Sequence, residues 1–324
     1  MRLVVKLVLV LAFVAVVPVT VSGVSSVIVA KDAVAATAAA ALEAEARHYA
    51  ELAETTILGS LDDLKQASLL GLDGLAPAER RGALWMIYRA DAARTAVALF
   101  DGSSRDVVVA PVFQETVGND AGLVDHEAFP SSALAPFAQH VPLDEALAAG
   151  KAVGVPYVDA ERGAPFIVLA VRVPGPRVVG SDGVVVEAPW VVAVELSLRR
   201  LDERFVEARD EGLRAALVDL DGRAVCHTDR ARMLARASLT SSPGVIAMFS
   251  PEQPASGVAN LDDDAHGAGD DDVLVAWARI GRLTGARERS WGVVVERDRA
   301  VALAAVTQLQ NRVVFFVGVA LFVA

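Results

Sequence analysis

Cysteine is almost absent from this sequence. Cys226 is the single thiol in 324 residues, which excludes any disulfide within the chain. In Ala224-Val225-Cys226 it reads as a small buried strand residue, not a reactive thiol. The histidines (His48, His126, His140, His227 and His266) are scattered without metal-ligand spacing, and His227 reads as a solvated strand end. No phosphate-binding glycine loop, dinucleotide fingerprint, H-E-x-x-H or G-x-S-x-G motif occurs. The residues therefore imply no catalytic group, no cofactor and no metal. Positive charge is also in deficit: 30 Lys and Arg stand against 41 Asp and Glu, a net charge of −11. That balance argues against nucleic acid or an anionic membrane surface as partner.

Charge is missing altogether from residues 7–30. As a helix at ~1.5 Å per residue this run reaches about 36 Å, enough for a hydrocarbon core of ~30 Å. Arg2 and Lys6 precede it, so the expected orientation has a cytosolic N-terminus, with residues 31–311 periplasmic or extracellular. A cleaved signal peptide is the alternative, but its apolar region is normally ~7–15 residues, so an uncleaved anchor is the better reading. A second apolar run, 313–324, follows Arg312. Its 12 residues reach only about 18 Å, so the natural product is expected to continue through the membrane into a cytosolic effector.

Between these ends the chain alternates helix and strand signals. Residues 31–70 are rich in Ala, Glu and Leu and free of Pro, and their apolar positions recur near a helical period. The Ala-rich face at 35–41 is a candidate for close helix packing, which makes a homodimer an expected partner arrangement. A loop follows at 71–77, then a short helix from Glu79 whose Trp85, Met86 and Tyr88 read as core. The acidic stretch 262–272 lacks the frame of a calcium loop: His266 occupies a ligand position and Val273 the closing glutamate position. It reads as a solvated loop.

An internal repeat organises the rest. A strand from Thr95 to Phe100 ends in Asp101-Gly102, and residues 107–109 supply a return strand. Later, Arg214 to Val218 ends in Asp219-Leu220-Asp221-Gly222, read as a two-residue Asp-Gly hairpin returning through 223–227. Each unit then has another strand (166–173 and 273–280), a closing strand (Trp190 to Glu195 and Trp291 to Glu296) and a helix. Trp190 and Trp291 read as sheet-packing anchors. The expected fold class is α+β: a long N-terminal helix, then two similar modules with antiparallel sheets.

Three stretches in this order resemble a known family. They are Val155-Pro156-Tyr157-Val158-Asp159 with its turn toward Gly163, Val218-Asp219-Leu220-Asp221-Gly222, and Trp291-Gly292 running to Glu296. Together they resemble the double Cache domain, the extracytoplasmic sensor of many bacterial receptors. The resemblance implies two PAS-like modules between transmembrane helices. The expected boundaries are 1–30 anchor, 31–70 long helix, 71–209 membrane-distal module, 210–298 membrane-proximal module, and 299–324 signalling helix with the start of a second span. The family's amino-acid binders carry an Arg closely followed by Trp-Tyr upstream of Pro-Tyr-x-Asp, and this chain has none between Val109 and Val155. Only Tyr157 and Asp159 map onto pocket positions.

The expected function is ligand sensing by a receptor of the inner membrane, with no enzymatic activity in the residues present. The signal would pass to an effector such as a histidine kinase, cyclase, phosphatase or chemoreceptor. The expected ligand-binding residues are Tyr157, Asp159 and Arg172. Tyr157 offers a ring and a hydroxyl, and Asp159 a carboxylate for an amine or cation. Arg172 alternates with Phe166, Val168 and Ala170 and offers a guanidinium for a ligand carboxylate. The competing expectation is an interaction or structural ectodomain without a small-molecule ligand. The expected partners are thus a small molecule, membrane lipid at the two apolar runs and a second copy of the chain.

Overall fold

Leu42, Ala46, Tyr49, Ala50, Ala53, Ile57, Leu61 and Leu64 recur at three- and four-residue intervals and are all buried. They form one stripe of a single helix, α1 (Arg2–Ala67). The computed structural model describes residues 2–109, 111–113, 137–159, 161–179, 185–260, 273–281, 290–302 and 304. Within α1, side chains are described at Ser25, at Val29 and from Ala33 onward, except at 67. The helix is continuous with the apolar run before position 31, and Gly59 does not break it. Among the described residues, no helix is long and apolar enough to cross a membrane. The second apolar run, the acidic stretch 262–272, His126 and His266 lie outside the described residues.

After α1, Gly71 turns the chain at a φ of 60° and α2 (Pro77–Arg89) begins with proline in its first turn. Glu79 accepts the Ala76 N–H at 2.9 Å, so the helix starts two residues earlier than the sequence reading expects. Trp85 and Tyr88 are half-buried, but Met86 is 60% exposed and not core.

Two antiparallel sheets follow. The first has the order β2-β1-β8-β5-β3, with β4 also pairing β5. Its strands are β1 (Arg94–Asp101), β2 (Val112–Phe113), β3 (Lys151–Val153), β4 (Tyr157–Asp159), β5 (Ala164–Val173) and β8 (Trp190–Ser197). A separate hairpin joins β6 (Arg177–Val179) to β7 (Val185–Glu187). The second sheet runs β10-β9-β13-β12-β11. It uses β9 (Arg214–Val218), β10 (Ala224–His227), β11 (Ser256–Asn260), β12 (Val273–Ile280) and β13 (Trp291–Asp298). The strand triplets β1-β8-β5 and β9-β13-β12 match, so the repeat seen in the sequence is a repeat of topology. Further helices are α3 (Leu143–Ala149), α4 (Arg199–Glu207) between the sheets, and α5 (Arg230–Leu234) and α6 (Pro243–Phe249) beside the second sheet. A short α7 (Arg299–Ala302) follows β13.

Both sheets turn one face to α1. Alternate residues Trp190, Val192, Val194 and Leu196 of β8, and Trp291, Val293 and Val295 of β13, join the α1 stripe in one core. Earlier turns of α1 meet the second sheet, where Arg47 Nε donates to Ser256 Oγ at 3.0 Å and that hydroxyl donates to Glu43 at 2.8 Å. Later turns meet the first sheet, where Asp63 lies 3.8 Å from Arg94.

Three local expectations change. The return strand at 107–109 is reduced to one bridge, Phe100 with Val107, and the paired strand is β2 instead. The second hairpin pairs Ala224 with Val218, so its loop spans five residues, not two. Asp219 widens it by accepting the N–H groups of Asp221 and Arg223, both at 2.9 Å. His227 is buried, not solvated, because the chain folds back over the end of β10 into α5. Its Nδ1 accepts the Asp229 N–H at 2.7 Å, and burial pulls its pKa down to about 4. Cys226 is buried as expected, and burial raises its thiol pKa well above the usual value.

Candidate functional site

The face of the first sheet turned away from α1 is paved with small residues: Ala96, Ala98, Val168, Ala170, Val191 and Ala193. Glu195 projects from the same face of β8, between Ala96 on β1 and Val168 on β5. It is only 3% exposed. A carboxylate this deep requires partners, and four donors on three side chains supply them. Arg162 donates to both of its oxygens, Nη1 to Oε2 at 2.7 Å and Nη2 to Oε1 at 3.0 Å. The Tyr157 hydroxyl donates to Oε1 and the Thr95 hydroxyl to Oε2. A register shift between Arg94 and Ala96 falls at Thr95, and such a bulge re-aims the side chain that carries it.

The turn between β4 and β5 brings Arg162 to this point. Tyr157 pairs with Phe166 and Asp159 with Ala164, so the chain reverses between Asp159 and Ala164. The Gly163 N–H bonds the Asp159 carbonyl at 2.8 Å, and Gly163 takes a φ of 58°, a conformation that costs glycine little. Asp159 Oδ1 accepts the N–H groups of Glu161 and Arg162 at 2.9 and 3.1 Å, and Oδ2 accepts Arg162 Nε at 2.7 Å. The guanidinium thus forks between two carboxylates, and its centre lies 3.7 Å from the centre of the Phe166 ring. His140 stacks flat on Tyr157, with ring centres 3.9 Å apart and planes 5° from parallel.

The electrostatics follow from this packing. Burial and then the Glu195 charge raise the Tyr157 pKa, so the phenol stays protonated and donates. Burial pushes Asp159 upward, but the N–H and guanidinium donors of Arg162 outweigh it and the net shift is downward. Burial also works against the Arg162 charge, and the bonds to Glu195 and Asp159 overcome it. Burial lowers His140, which favours a neutral ring. Within the Asp159–Arg162–Glu195 trio, one cation shared by two carboxylates leaves a formal excess of one negative charge.

Of the residues expected from sequence, Tyr157 and Asp159 come together here. Arg172 does not join them. It lies six positions beyond Phe166 on β5, about 20 Å along the strand, and is exposed. Its Nη1 lies 3.4 Å from the Leu147 carbonyl. Sequence reading passed over Glu195, Arg162 and Thr95. Glu195 carried a usable signal, being the one charge inside the apolar run 190–196. Among the described residues, no group of three His, Cys, Asp or Glu is arranged to hold a metal ion.

No family model matches the chain, and no curated protein matches it. Solved structures do. The periplasmic sensory domain of the Campylobacter jejuni chemoreceptor Tlp1 is 14% identical, with a TM-score of 0.55 over 83% of this chain and 98% of that one. The ligand-binding domain of the Pseudomonas aeruginosa PAO1 amino-acid chemoreceptor PctC, solved in complex with GABA, is 19% identical, with a TM-score of 0.51 over 78% and 96%. The ligand-binding domain of Mlp24, solved with asparagine, is 16% identical, with a TM-score of 0.51 over 86% and 98%. The chain therefore has the fold of bacterial chemoreceptor sensory domains, as the double Cache resemblance implies.

Proposed function

We propose that the chain is the extracytoplasmic ligand-sensing region of a bacterial membrane receptor, and that its ligand sits at the Tyr157–Arg162–Glu195 network. The buried Glu195, held by three side chains from two strands and a turn, is the observation that carries this reading. A structural sheet face gains nothing from a charge there, whereas a binding face gains fixed polar groups over an apolar floor. The excess negative charge favours a ligand with a protonated amine. PctC and Mlp24 were solved with GABA and asparagine, both of which carry one.

In this reading residues 71–209 are the membrane-distal module and 210–298 the proximal one. Residues 7–30 and 313–324 belong to membrane spans, which supports an inner-membrane location and contact with lipid. Two copies pack along α1. Ligand binding shifts an equilibrium between two arrangements of the helices, by its differential affinity for them. The residues present do no chemistry, and the output belongs to a cytosolic effector.

Thermal unfolding of the full chain in detergent, against a panel of small amines that includes GABA and asparagine, with organic acids and sugars beside them, tests the proposal. A concentration-dependent rise in Tm is expected for at least one amine. A flat response across amines, organic acids and sugars alike would reject small-molecule sensing in favour of an ectodomain that meets a protein partner.

A further inference from the structure

The turn that carries Arg162 into the site is also held from outside. Its two last carbonyls accept guanidinium donors from elements beyond the first sheet. Arg199 Nη2, at the start of α4, reaches the Arg162 carbonyl at 2.8 Å. Arg230 Nη2, at the start of α5, reaches the Gly163 carbonyl at 3.0 Å, across 67 positions of sequence. A side chain at Gly163 would stand 3.3 Å from that Nη2, so the glycine leaves room for the contact. The helix α5 follows β10 of the second sheet, and α4 runs between the two sheets.

The turn therefore has two sides. On the inner side Asp159 and Arg162 meet each other and Glu195. On the outer side two charged donors from the connecting helix and the second sheet's first helix grip the main chain. Nearby on α4, Asp202 is buried with one carboxyl oxygen unbonded, and the Arg230 charge acts on it. A ligand that displaces Arg162 from Glu195 releases the inner grip on a turn whose 162 and 163 carbonyls Arg199 and Arg230 hold.

We propose that Arg199 and Arg230 are positioning residues that pass the state of the Arg162 turn directly to α4 and the second sheet, a link separate from α1. The proposal takes the network above as the sensing site, but its test needs no ligand. Hydrogen exchange of the full chain, followed by mass spectrometry, reads the link. Glu195→Gln weakens the inner grip on the turn and is expected to speed exchange at 161–165, and also at 199–204 and 228–234, by about fivefold or more. In the Arg199→Ala, Arg230→Ala background the same substitution should speed exchange at 161–165 alone. Should Glu195→Gln fail to fold, Tyr157→Phe removes one donor to the same carboxylate and is read in the same way. No change at 228–234 in the parent background, or an equal change in both backgrounds, overturns the proposal. Either failure leaves the ligand reading intact, because that reading is judged by binding.

Discussion

Glu195 and Glu296 stand at the same place in the two sheets. Each lies five residues past a buried tryptophan on the central strand and projects from the face away from α1. Their surroundings differ. In the first sheet Glu195 is sealed among Arg162, Tyr157 and Thr95, over a floor of alanines and valines. In the second sheet Glu296 is half-buried and accepts only the Ser242 hydroxyl, at 3.2 Å, among the bonds described. The helix that Ser242 precedes, α6, lies on that face and fills it with Val245 and Met248. Where β8 has Val191, β13 has Gly292, and a side chain there would stand 2.1 Å from the Met248 sulfur. In the second sheet α6 packs beside Glu296 itself; in the first, α3 and Phe137 also cover part of the far face, but the carboxylate there is met by Arg162, Tyr157 and Thr95. In the proposed reading, a duplicated topology thus serves binding on one sheet and packing on the other.

The largest difference between the faces should appear when the carboxylates lose their partners. Arg162→Ala leaves Glu195 buried and unpaired and is expected to cost about 3–5 kcal/mol in urea unfolding. Ser242→Ala, which takes the partner from Glu296, should cost about 1 kcal/mol or less. Equal costs would break the comparison.

The junction between the sheets gives the next effect. Burial lifts Asp202 from 3.8 to about 6, so folding favours its protonated form. The stability it contributes is complete below the unfolded value and is lost as pH rises through about 6. Asp202→Asn removes that loss. The variant's stability minus the parent's should therefore climb by roughly 2–3 kcal/mol between pH 4 and pH 7. A flat difference curve would contradict the assignment. The subtraction matters because His227, depressed to about 4, gives a slope of opposite sign in both proteins.

Gly292→Val writes the first sheet's residue into the second. The Met248 sulfur and the Ala278 carbonyl leave no room for it, so a cost of about 1–3 kcal/mol is expected from thermal unfolding. Arg172→Ala should do least. It is exposed at a strand end, and a change within about 0.5 kcal/mol is expected, with ligand affinity unaltered.

Much of this architecture was legible in the sequence because strands buried on both faces leave unbroken apolar runs. The two closing strands, with their tryptophans, and the α1 stripe could be read directly from such runs and from period. Loop detail could not. Asp219 rebuilds its hairpin through side-chain bonds to the main chain, which an Asp-Gly pair does not announce. The site was half legible. Tyr157 and Asp159 lie in a short recognisable segment, whereas Arg162 meets Glu195 across 33 positions through the register of β4, β5 and β8. Arg172 shows the converse: alternation put it on the right face, but not at the right distance along the strand.

The central claim is that the first sheet, and not the second, holds the ligand. Calorimetric titration of the full chain in detergent tests it, using the amine that gives the largest thermal shift. Asp159→Ala should weaken binding by about 1.5–3 kcal/mol, while Glu296→Gln leaves the affinity of the parent. Parent-like affinity in Asp159→Ala with its circular dichroism unchanged, or loss of binding in Glu296→Gln, would contradict the account.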